Sequence, residues 1–132
     1  MAGKTSYLEA KVIDHTNGKT AYTMPSVWVG LLTAAPTDTT GGTEVSGGSY
    51  ARKSTAAADW NAASGNPAAA TNATAITFVT ATGAWGTVTY FGLYDASTAG
   101  NLLRWAALGT SKTIGTGDSA SFAIGALTVT ED

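Results

Sequence analysis

Along the chain, hydrophobic positions first follow one short stretch of helical spacing and then break into many short alternating or continuous runs. Ser6 precedes Glu9 by three residues, the spacing of a capping box, and Leu8, Val12 and His15 recur on one helical face. Asn17-Gly18 ends that pattern. The text then becomes β-branched and aromatic, with runs separated by Gly, Thr, Ser and Asn clusters as in an all-β domain. Val27-Trp28-Val29-Gly30-Leu31-Leu32-Thr33 is apolar on both faces and closed by Pro36, which predicts a strand covered on both sides.

Residues 37–49 read as a polar, Gly-rich loop that is either mobile or holds a partner. Residues 50–60 read as a weak edge strand, because neither alternating face is strongly apolar. Residues 62–72, with Asn66-Pro67, predict a loop. Residues 73–78 form a strand with Ile76 and Phe78 on one face, and residues 80–85 a turn. The clearest pair is residues 88–95 and 102–108, flanking a polar tip in a hairpin. There Tyr90 and Tyr94 share one side, with Phe91 and Leu93 on the other. Residues 119–124 and 126–130 alternate around Gly125, predicting a bend within one sheet rather than two separate sheets. The reading is therefore all-β: a jelly-roll-like or immunoglobulin-like β-sandwich of about seven or eight strands with a short N-terminal helix. It divides into a helix and arm over 1–24 and a β-sandwich domain over 25–132.

Composition narrows the function classes. Only 12% of the 132 residues are charged and the net charge is −2, whereas Ala, Thr and Gly number 25, 23 and 16. An ordinary soluble domain carries about 25% charged residues, and a nucleic-acid binder needs a positive field. No stretch approaches a membrane span, and the start lacks the apolar run of a secretory signal, so a soluble chain made in the cytosol is expected. With no Cys, neither disulfides nor thiolate metal sites reinforce the core.

The kit for catalysis is thin: one His, no Cys, and nine scattered carboxylates. Asp14-His15 lacks a partner nucleophile motif, and His15 reads as a helix-end residue meeting the last carbonyls. Gly3-Lys4-Thr5 and Gly18-Lys19-Thr20 lack the earlier Gly of a phosphate loop, and Gly115-Thr116-Gly117 is followed by strand rather than helix. No catalytic, cofactor or metal site is expected. Asn72-Ala73-Thr74 spells a glycosylation acceptor by accident of a Thr-rich text, and Arg52-Lys53 reads as a guarded strand edge. Trp60, Trp85, Tyr90, Phe91, Tyr94 and Trp105 read first as core and, alternatively, as a platform for stacking sugars.

Across nearly its whole length the sequence resembles small virion proteins from the structural gene blocks of tailed bacteriophages. The resemblance is carried by Tyr7-Leu8-Glu9, Asp14-His15, Thr20-Ala21-Tyr22-Thr23, Val29-Gly30-Leu31 and Tyr50-Ala51-Arg52. Gly83-Ala84-Trp85-Gly86-Thr87-Val88-Thr89, Phe91-Gly92-Leu93-Tyr94-Asp95, Gly100-Asn101-Leu102-Leu103 and Ala126-Leu127-Thr128-Val129-Thr130 continue it. Such proteins are labelled tail-fibre-like, and others like them are jelly-roll head decoration or cement proteins. The resemblance implies a structural, non-enzymatic role as a decoration protein on the virion head surface. The expected partners are the major capsid protein and other copies of this chain as dimer or trimer, with no nucleic acid and no membrane. Tyr7, Leu8, Val12, His15, Tyr22, Arg52 and Lys53 are the expected protein interface. A tail-fibre or baseplate component is the alternative, and a carbohydrate-binding module with a glycan partner is a second.

Overall fold

The computed structural model describes residues 2–131. In chain order they form β1 (Ala2–Lys4), α1 (Ser6–Thr16), β2 (Val27–Ala34), β3 (Thr43–Glu44) and β4 (Lys53–Thr55). A 3-10 turn (Ala57–Asp59) follows, then β5 (Ala68–Thr71), β6 (Ile76–Thr80), β7 (Gly86–Tyr94), β8 (Leu102–Ile114), β9 (Ser119–Phe122) and β10 (Thr128–Glu131). The architecture is an all-β sandwich with one N-terminal helix. Its main layer is antiparallel in the order β1-β8-β7-β2-β3, with β4 also on the outer edge of β2; the pairs β6-β9 and β5-β10 form the rest.

The main sheet is apolar on both faces, as the text of β2 predicts. Val29, Leu31, Phe91, Leu93 and Ala106 point into the sandwich, where they pack with Ile76, Phe78, Val88, Trp85, Ala120, Phe122 and Leu127. The opposite face carries Leu32, Tyr94, Leu103 and Trp105, all buried, and Leu8 of α1 is buried with them. Thr5 caps the helix, its hydroxyl accepting from the Leu8 amide, so the N-cap lies one residue before Ser6. Trp105 lies flat on Gly3 of β1, where a Cβ would come within 2.4 Å of the ring.

The second layer is largely a continuation of the hairpin. Thr80 pairs with Ser119, Ala81 and Gly117 exchange bonds with the opposite strand, and the Trp85 amide donates to Ile114 O at 2.8 Å. Residues 76–94 and 102–122 therefore make one two-stranded ribbon that folds over itself at the turns 81–85 and 115–118. Small residues make the fold-over possible. Gly48 packs against Gly83, and its carbonyl accepts from the Trp85 indole N–H at 2.9 Å.

Three expectations require correction. Residues 43–44 and 68–71 are short strands rather than loop, because backbone pairing with β2 and β10 holds segments whose side chains carry no apolar signal. Residues 50–60 are strand only over β4, followed by the 3-10 turn. Gly125, at φ 80°, does bend the chain, but β9 pairs with β6 and β10 with β5, so it separates two sheets.

Candidate functional site

The densest polar cluster lies where β3, β4 and the hairpin tip meet the helix side of the sheet. Arg52 reaches inward from beside β4, its side chain only 7% exposed, and grips Glu44 through Nε and Nη2, both at 2.8 Å. Its Nη1 donates to the carbonyls of Ala96 and Ala99 in the hairpin tip. The guanidinium also stacks on the Tyr94 ring, 3.5 Å from its centroid. Planar, forked and permanently charged, arginine meets all these partners at once, which lysine cannot do.

Tyr50 completes the cluster. Its ring packs among Phe78 and Trp85 while its hydroxyl passes the edge of β2, donating to Glu44 at 2.8 Å and accepting from the Leu31 amide at 2.9 Å. Burial first, and then the neighbouring Glu44 carboxylate, push the Tyr50 hydroxyl far above its ordinary range. The same two causes push Tyr94 up to about 12, so both phenols stay protonated. For Arg52, burial alone would disfavour the charge, but the hydrogen bonds to Glu44 outweigh it and the net shift is upward.

Above this cluster opens a groove of about 450 Å³, walled by residues 38–42, Tyr7 and residues 99–102 and floored by Glu44, Arg52 and Tyr94. The loop expected to be mobile or to hold a partner is thus one wall, pinned where Asp38 O accepts from the Ser6 amide. Arg52 and Glu44 are committed to each other and to the backbone, so the floor supplies a fixed shape rather than a movable proton.

The seven sequence-predicted interface residues fall in different settings. Tyr7 is 36% exposed on the groove wall; Leu8 is buried against the sheet, and Val12 is half-buried. His15 is exposed at the helix end, where its Nδ1 accepts from the Tyr22 amide at 3.0 Å rather than meeting helix carbonyls. Tyr22 is half-buried, and burial followed by the nearby Tyr7 and Asp95 raises its hydroxyl. Lys53 is exposed on β4, whereas its neighbour Arg52 is the buried hub. The fold brings Tyr7 of α1, Arg52 before β4 and Tyr94 of β7 around one groove and leaves Lys53 outside it.

Two polar residues carry weight that sequence reasoning missed. Asn72, fully buried, donates to the carbonyls of Thr74 and Ala123 and accepts from the Leu127 amide, tying the β9–β10 connection to the end of β5. Its amide is therefore structural and not a glycan acceptor. Glu131 binds both Lys4 and Arg104, joining β10 to β1 and β8. Burial acts to raise its carboxyl, but the hydrogen bonds to Lys4 and Arg104 prevail and hold it below the usual range. Among the described residues, no three metal-ligating side chains converge.

Fold and cluster together define a small β-sandwich whose polar side chains mainly fasten its own strand edges and tip. A family model described as podophage GP4 fiber I protein gp80 matches residues 3–130. The chain belongs to that family, and is a structural protein of the phage virion. No curated protein matches it.

Proposed function

We propose that this protein is a fiber subunit of a podophage virion, acting through fixed shape and contacts with neighbouring subunits rather than through chemistry. The observation that carries the reading is the match to a fiber family over residues 3–130. The Arg52 hub supports it, because a buried bidentate pair spanning β3, β4 and the hairpin tip suits a part that must keep its shape in an assembly. The alternative of a head decoration protein bound to the major capsid protein draws on the same sandwich, and has no observation of its own to favour it. Quantitative mass spectrometry of purified virions, with antibody labelling in electron micrographs, tests the choice. A few copies per particle at the tail vertex are expected. Hundreds of copies over the head would establish decoration instead.

A further inference from the structure

Residues 2–22 attach to the rest of the chain as a separable unit. Within it, the Lys19 and Thr20 amides donate to Asp14 O, and the Tyr22 amide donates to His15 Nδ1 at 3.0 Å, so the chain leaving α1 is folded back onto the helix. The grip of the unit on the body is specific. β1 runs antiparallel to β8, Gly3 receives the Trp105 ring, and the Thr5 hydroxyl donates to Leu102 O at 2.7 Å. The Ser6 amide donates to Asp38 O, Leu8 is buried, and Lys4 pairs with Glu131.

One short segment joins this unit to β2. Residues 23–26 have no hydrogen-bond partner among the described residues; Thr23, Met24 and Ser26 are exposed and Pro25 is half-buried. Met24 is 85% exposed, more than any other large apolar side chain among the described residues. Beside it opens an apolar hollow of about 410 Å³, lined by Pro25, Val27, Thr55, Ala56, Ala57 and Trp60, which Met24 borders without filling.

We infer that two copies of this chain exchange residues 2–22, their hinges at 23–26 crossing about a twofold axis. The socket selects the occupant. The β8 edge, the Trp105 ring and the carbonyls of Leu102 and Asp38 are fitted to this one segment, and a second copy carries the same segment. Each contact that one body gives up it regains from the other chain, so exchange costs chiefly the entropy of association. What exchange adds lies at the hinge. Crossing lays the two exposed segments side by side, so that each Met24 enters the hollow beside the other hinge. Charge allows this approach: Lys11 and Asp95 line the recess on one side of the hinge, and Lys53 and Asp59 stand beside lining residues of the hollow on the other, one of each sign in each place. An exchanged segment of about 20 residues matches the scale of one side of a stable interface. The inference rests on the contacts of the chain with itself and stands for either position in the virion.

The test uses the full chain, which has no native cysteine. Lys4 and Arg104 are cross-strand partners next to the bond from Thr5 N–H to Leu103 O, a non-hydrogen-bonded pair whose spacing suits a disulfide. Lys4→Cys combined with Arg104→Cys, refolded near about 1 mM and oxidised, should give a bond joining two chains on a non-reducing gel, and a bond within one chain when refolded dilute. Wild-type chain should form a dimer in sedimentation equilibrium. A short Gly-Ser insertion after Thr23 should weaken that dimer at least about tenfold, because a longer hinge lets each unit dock on its own body. Met24→Lys should weaken it as well, with the circular dichroism of the chain unchanged. A disulfide confined to one chain at both concentrations, a wild-type chain monomeric up to about 1 mM, or a dimer that either hinge variant leaves unchanged would overturn the inference.

Discussion

Gly30 and Gly92 are direct cross-strand partners on β2 and β7, and the Tyr94 ring lies over both. A Cβ on Gly30 would come within 2.7 Å of Tyr94 Cε2 and 2.9 Å of Glu44 Oε1; one on Gly92 would come within 3.0 Å of the same ring carbon. The glycine pair lets the ring settle on the sheet, and Arg52 then stacks on the ring's outer side. Gly30→Ala should therefore lift Tyr94 and loosen the hub, at a cost of about 1–3 kcal/mol as for other overpacked sites. Chemical denaturation of the variant measures it.

Arg52 should be among the least replaceable residues. Arg52→Ala leaves Glu44 partly buried without its partner and frees the tip carbonyls, so a loss of about 3 kcal/mol is expected. Arg52→Lys should recover little, because an ammonium neither forks nor stacks in this geometry. Urea unfolding midpoints of the two variants decide whether they group together, as the geometry requires.

Tyr50→Phe keeps the ring against Phe78 and Trp85 but removes the oxygen that accepts from Leu31 N–H. The expected cost is about 1–2 kcal/mol, that of a semi-buried amide left unpaired. Amide hydrogen exchange should show faster exchange at Leu31, with β7 and β8 protected as before.

Asn72→Ala removes three hydrogen bonds from a fully buried position. A loss of about 3 kcal/mol is expected, and Asn72→Asp should be worse, since it brings a carboxylate against two carbonyl oxygens. Thermal melts followed by tryptophan fluorescence would show it.

Glu131 sets part of the acid limit. Its carboxyl is depressed in the folded chain, so the stability it contributes is present above the ordinary carboxylate range and is lost as pH falls through the depressed value. Glu131→Gln should be less stable than wild type near neutrality, and the two should converge in acid. Stability measured between pH 7 and pH 2 at two salt concentrations gives the curves, and added salt should narrow the gap.

What the sequence discloses is the part governed by local periodicity. The two-sided apolar run of β2, the hairpin around residues 95–101, the inward pair Ile76 and Phe78 and the helix ending at Asn17 are all legible, because each is written in neighbouring side chains. The hub is not. Arg52 and Lys53 are adjacent and chemically alike, and only the position of Glu44 across an intervening loop sends one inward. Asn72 is equally opaque, since its partners Ala123 and Leu127 lie 51 and 55 residues further on, in the connection between β9 and β10. β5, composed of Ala and Thr, is specified by β10 and by residues 60–64 rather than by any apolar signal of its own. That Tyr7 and Arg52 line one groove is not written in any local pattern, and the role of Tyr94 as the stacking surface depends on two distant glycines.

The folded-over ribbon also bears on how the chain reaches its shape. Residues 76–122 pair symmetrically about the tip at 95–101, so each cross-strand pair that forms brings the next within a short loop, and the closure entropy is met in small steps. Zipping from the tip through the turns at 81–85 and 115–118 would assemble both layers of that part before distant segments are needed. β1, β2 and β10 must then find an existing template. Their long-range docking, rather than the formation of the hairpin, should set the folding rate.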